Sequence, residues 1–196
     1  SFIMGLSTSD SIVIVGAGDL GLSTALHLSQ RGYTDISVFD KNDHIPSGDL
    51  TTVVYRAAQA AGVQFFLGQP VDEVIYVSTL AGRKNAGIRT RDARFHPSSL
   101  VIIEIGVGDS DSRPGIDRVP DSLASPLSWY SSSSNSLVGF VPHESSSVIL
   151  LGKSAQSFKM SSLVGPRVLE LLEGTNDQHA GARKLSRIPP QTVSRL

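Results

Sequence analysis

The clearest hydrophobic pattern is at the front of the chain, where Ile12, Val13, Ile14 and Val15 form a β-branched run that stops at Gly16. Such a run predicts a buried strand over residues 11–15. Residues 20–31 follow, with Leu22, Ala25 and Leu26 at i, i+3, i+4 and Leu28 widening the apolar stripe. They predict a helix closed by Gly32, where a left-handed cap is usual. Residues 36–39 alternate as a second strand that ends at Asp40. Strand, glycine turn, helix and strand within about 30 residues make a βαβ unit, whose right-handed crossover implies a parallel sheet.

Beyond a polar stretch over residues 41–50, alanines at helical spacing predict a helix over residues 51–61 up to Gly62, then a short strand over 63–67. Residues 71–79 and 86–90 read as antiparallel strands joined by a turn at 81–84, and residues 100–105 as another buried strand, followed by Gly106. Residues 109–147 shift to serine, proline, aspartate and glycine. They read as a long surface connection or the remnant of a subdomain. A last strand is expected over 148–151, a last helix over 161–173 capped by Gly174, and a polar tail from 175 onward. The order of elements therefore gives an α/β fold class, with a parallel sheet and a small antiparallel β element. Residues 1–196 are read as one compact domain of that type.

Composition narrows the function. With 17 Lys and Arg against 18 Asp and Glu the net charge is -1, which disfavours an electrostatic grip on nucleic acid or an anionic membrane surface. No apolar stretch approaches the roughly 20 residues of a membrane helix. The absence of cysteine excludes disulfides, thiolate metal sites and a cysteine nucleophile. The five histidines are scattered, with no pair at metal-ligand spacing, so no metal site is expected. His27 is expected on a helix surface. Trp129, Tyr130 and Phe140 are read as cover for the core or the lining of a pocket, and His143 with Glu144 as a polar turn or an acid–base pair.

The candidate chemistry lies in Gly16-Ala17-Gly18-Asp19-Leu20-Gly21, a GxGxxG turn between strand and helix. Gly16 permits the tight turn, Gly18 removes a side chain that would block a diphosphate, and Gly21 lets helix and strand approach. The bare amides and the helix N-terminus then favour an anion without help from a basic side chain. Asp19 is unfavourable there, so its carboxylate is expected to turn away or cap the helix. Asp40, nineteen positions beyond Gly21, stands where an acid accepts hydrogen bonds from an adenosine ribose, with Lys41 beside it. The alternative is that the glycines serve packing and Asp40 is a solvated strand end.

Ile12 to Asp40, with Gly16, Gly18, Gly21, Ala25, Leu28 and Gly32 in register, resembles the N-terminal signature of FAD-dependent oxidoreductases of the D-amino-acid-oxidase superfamily. Residues 23–28 and 31–33 resemble fungal fructosyl amino acid oxidases (amadoriases) and their sarcosine-oxidase-like relatives. The resemblance implies a Rossmann-like FAD/NAD(P)-binding domain that holds FAD non-covalently, since the family's covalent link uses cysteine and this chain has none. It places Val71 at a backbone contact toward adenine, Gly106 at the glycine of an ATGA segment, and Phe158 and Lys159 in a glycine-rich flavin-facing segment. It also places the start of the last helix against the flavin. Departures are as plain: family members are longer, and the substrate domain between the second strand and the returning helix is largely missing here. The ATGA segment reads Glu104-Ile105-Gly106-Val107, and only Ser47-Gly48 stands as a vestige of the segment after the second strand.

The resemblance implies an oxidoreductase that acts on a C–N bond of a small amine or amino-acid-derived substrate. Two alternatives stay open, a non-redox cyclase or isomerase that reuses the flavoprotein fold and a catalytically silent binding protein. The partner expected is a small-molecule substrate, with a homo-oligomer as the way to cover the sheet that the missing domain exposes. The final Ser194-Arg195-Leu196 resembles a peroxisomal address, which gives peroxisome or cytoplasm as the expected location.

Overall fold

In the computed structural model, the residues described are 6–80, 82–105, 137–140, 148–152 and 161–174. Strand β1 (Ile12–Val15) leads through the glycine turn into helix α1 (Asp19–Arg31), then β2 (Ile36–Phe39), α2 (Asp49–Ala60) and β3 (Gln64–Phe66). The chain continues through β4 (Val71–Thr79), β5 (Gly82–Thr90), β6 (Phe95–Pro97) and β7 (Leu100–Ile105). It closes with β8 (Leu137–Phe140), β9 (Val148–Gly152) and α3 (Ser161–Glu173).

Six strands form one sheet in the order β3-β2-β1-β7-β9-β8, parallel except for β8, and β4-β5-β6 form a separate antiparallel sheet. Both faces are covered at the central strands β1 and β7. Ile12, Ile14, Leu100 and Ile102 join Leu22, Ala25, Leu28, Val164 and Val168 in a core between sheet and helices. Their neighbours Val13, Val15, Val101 and Ile103 point to the opposite face and are equally buried. The small sheet packs there through β5 against β7. Buried Asn85 joins the two, its amide donating to Ser99 O (3.1 Å) while its oxygen accepts from Ser98 Oγ (3.2 Å). Phe39 stacks on Phe66 and meets His96 in a T-shaped contact, which fixes the small sheet beside the end of β2. Burial on both sides is why the central strands read as continuous apolar runs rather than alternating ones.

Most predicted elements stand within two residues of their predicted bounds. The hairpin differs from the expected turn at 81–84, because Thr79 already pairs with Gly82 and β5 includes Arg83 and Lys84. Polar side chains suit a strand end that faces solvent. Arg83 lies over the Tyr76 ring, 4.2 Å from its centre. Two strands were not expected. β6 is three residues long and holds Pro97, which an edge strand tolerates. β8 lies within the stretch expected to be irregular, and its partly buried Val138 and Phe140 pack on the helix-side core.

His27 is half-buried rather than on an open surface. A Cβ built on Gly165 would meet its ring at 2.4 Å, so α3 presses against α1 at this point, and the Nδ1 atom sits 2.8 Å from Ser23 O. Apolar periodicity within α1 gives no sign of a second helix laid across its flank.

Candidate functional site

Parallel pairing sets the site. Register places Val15 of β1 beside Phe39 of β2 and Ile103 of β7, so the next residue of each strand, Gly16, Asp40 and Glu104, emerges at the same sheet edge. Gly16 takes φ of +111° to turn the chain toward α1, a conformation L side chains rarely adopt. Gly21 allows the close approach of the helix, since a Cβ there would lie 2.0 Å from Gly16 O. The helix begins with Leu22 N–H donating to Gly18 O (2.9 Å).

The free amides of this turn meet two carboxylates. Ala17 N–H donates to Asp40 Oδ2 at 2.6 Å, and Asp40 Oδ1 accepts from Asn42 N–H at 2.8 Å. Gly18 N–H donates to Glu104 Oε2 at 2.9 Å, Gly21 N–H to the same oxygen at 3.3 Å, and Leu20 N–H to Glu104 Oε1 at 3.4 Å. Glu104 is only 8% exposed. A carboxylate so buried is held by charge-assisted hydrogen bonds and the positive end of the helix dipole. Gly18 makes room for it, because a Cβ at that position would lie 2.4 Å from Glu104 Oε1.

Asp19 turns away from the amides, its carboxylate accepting from the Thr51 hydroxyl at 3.0 Å and tying the start of α1 to α2. Asp19 and Thr51 also border a cleft of about 150 Å³ between the helices, walled by Leu22, Leu26, Leu50 and Val54. Lys41 is exposed beside Asp40. Val71 is buried at the start of β4, opposite Thr90, and Gln69 N–H donates to Asp40 O (2.8 Å), which holds the entry to β4 against the end of β2. Gly48 immediately precedes α2. The candidates Gly106, Phe158 and Lys159 lie outside the described residues, as do Trp129, Tyr130, His143 and Glu144.

Glu104 is the site residue to which the sequence reading gave no role. One signal pointed to it, a lone charge in the buried run Leu-Val-Ile-Ile-Glu-Ile of β7, where the resembled family has alanine. A buried carboxylate requires donors, and the unpaired amides of a helix N-terminus are the nearest available.

The donor set therefore fits an anion in kind, and the anion it holds is the protein's own. With Glu104 in this position, a dinucleotide's diphosphate does not fit, because the carboxylate already takes the amides of Gly18, Leu20 and Gly21.

The family model described as FAD dependent oxidoreductase (DAO) matches residues 11–49. The fold is similar to that of fructosyl amine:oxygen oxidoreductase (Amadoriase I) from Aspergillus fumigatus, with a TM-score of 0.64 at 15% identity. That match covers 92% of this chain and 90% of that one. It is also similar to fructosamine oxidase (Amadoriase II) from Aspergillus fumigatus, with a TM-score of 0.62 at 14% identity over 87% and 88% of the two chains. THI4 from Thermovibrio ammonificans gives 0.60 at 12% identity over 87% and 91%. No curated protein sequence matches. These likenesses show that the chain has the fold of FAD-dependent oxidoreductases, and the resemblance drawn from Ile12 to Asp40 agrees with the matched segment.

Proposed function

We infer that the chain is a FAD-dependent oxidoreductase-like protein of the amadoriase kind, directed at a C–N bond of a small amine or amino-acid-derived substrate. The observation that carries this reading is the meeting of the two halves of the dinucleotide signature. Asp40 at the end of β2 lies within hydrogen-bond distance of the glycine turn that follows β1, inside the segment matched by the family model. The flavin, when bound, would supply the redox chemistry, and this chain would supply its anchoring. Gly16, Ala17, Gly18 and Gly21 would form the anchor only with the Glu104 carboxylate displaced from their amides, with Asp40 toward the ribose. FAD is read as non-covalently held, since the covalent link of the resembled family uses cysteine and the chain has none.

The test is the absorbance spectrum of the purified full chain, followed by titration with FAD. A flavin spectrum that persists through gel filtration supports the reading, and turnover of fructosyl or N-methyl amino acids with oxygen uptake supports its finer part. Absence of flavin at saturating FAD defeats both.

The position of Glu104 favours a second reading. A protein that keeps the fold while closing its phosphate loop on itself would act without flavin, as a non-redox cyclase or isomerase or as a binding protein. Activity or partner binding that is indifferent to FAD would support this reading.

A further inference from the structure

The geometry points to Glu104 as a built-in anion that holds the glycine turn closed and decides which nucleotides it admits. Three amides of the turn converge on one carboxylate, which is buried and approaches Gly18 closely enough that only glycine leaves it space. A fourth amide, that of Ala17, is taken by Asp40. Any diphosphate that reaches this turn must expel the Glu104 carboxylate, forfeit its hydrogen bonds and stand beside the charge of Asp40. Asp19 adds a further negative charge next to the turn. Each cost falls on the incoming anion, so the turn closed on Glu104 is favoured over one that holds a nucleotide, and weak nucleotide affinity is built into β7.

This inference rests on the reading of the turn as a nucleotide site, but only for the identity of the competing ligand. The contact itself can be tested without a flavin. The experiment uses the full chain as wild type, Glu104→Ala and Glu104→Gln. It records thermal unfolding with and without inorganic pyrophosphate, and calorimetric titration with pyrophosphate, ADP and FAD. Glu104→Ala should unfold at a lower temperature than wild type and be raised again by pyrophosphate, while wild type does not respond. Its affinity for ADP and FAD should exceed that of wild type at least tenfold. Glu104→Gln, which keeps the length and loses the charge, should fall between them, and it carries the comparison if the alanine variant does not fold.

Wild type and both variants binding FAD equally well would overturn the inference and leave the flavin reading standing. Gain of pyrophosphate and ADP by the alanine variant, with FAD refused by every form, would support Glu104 as the closing group and overturn the flavin reading. Variants as stable as wild type and unresponsive to pyrophosphate would show that the carboxylate does not occupy the turn, which also overturns the inference.

Discussion

The amide of Gly18 donates to the carboxylate of Glu104 across 86 residues of sequence, at 2.9 Å, because β1 and β7 lie side by side in the sheet. The glycine and the glutamate are complementary in shape as well as in hydrogen bonding. Adding a methyl to one therefore displaces the other.

Gly18→Ala would place a Cβ 2.4 Å from Glu104 Oε1 and 2.7 Å from Oε2, so the carboxylate must leave its donors. Loss of buried charge-assisted hydrogen bonds should lower stability by about 2 kcal/mol. In a Glu104→Ala background the same methyl meets no carboxylate, and its added cost should fall below about 0.5 kcal/mol. Urea denaturation of the four proteins measures the coupling, and simple additivity would show that the two residues do not meet.

Gly21→Ala should behave differently. Its Cβ would lie 2.0 Å from the carbonyl oxygen of Gly16, a backbone atom that cannot swing aside. Helix α1 must shift on the sheet, at a cost of about 3 kcal/mol, as for other overpacked positions. Removal of Glu104 should not rescue this variant, and the same urea series shows whether it does.

Gly165→Ala tests the crossing of α3 over α1. The new Cβ would meet the His27 ring at 2.4 Å, and the helices should part at a cost of about 2 kcal/mol. His27→Ala should return less than half of that loss in the double variant, measured by thermal unfolding, because the His27 Cβ that alanine keeps would still lie 2.7 Å from the new one.

Burial pushes the Tyr33 phenol above its ordinary value of 10.0, and the carboxylate of Glu173 pushes it further, while Arg31 opposes this. The neutral phenol is thus favoured by the folded state. Its contribution to stability is complete below pH 10.0 and is lost as the pH rises through the folded-state value. Tyr33→Phe should flatten the alkaline limb of the stability profile. Glu173→Gln should lower the phenol's titration midpoint, read from tyrosinate absorbance. It should change stability at neutral pH by less than about 1 kcal/mol, since the Arg31–Glu173 ion pair is largely exposed. A midpoint unmoved by Glu173→Gln would remove the carboxylate from this account.

Sequence by itself determined the βαβ unit, the glycine turn and the place of Asp40 at the end of β2. Each depends on local periodicity and on backbone conformations that few residues tolerate, as at Gly16. It also marked the helix Ser161–Glu173, whose apolar stripe repeats at helical spacing. Only the tertiary structure decided what the turn binds within its own chain. Glu104 is far from the turn along the chain, and nothing local to β7 says that its carboxylate reaches the amides of Gly18, Leu20 and Gly21. Strand order and parallel register bring these groups together, just as the packing of α3 covers His27 and the edge pairing of β6 and β8 completes two sheets. Those outcomes depend on which elements become neighbours, a global property of chain packing that a pattern of hydrophobic and polar positions constrains but does not encode.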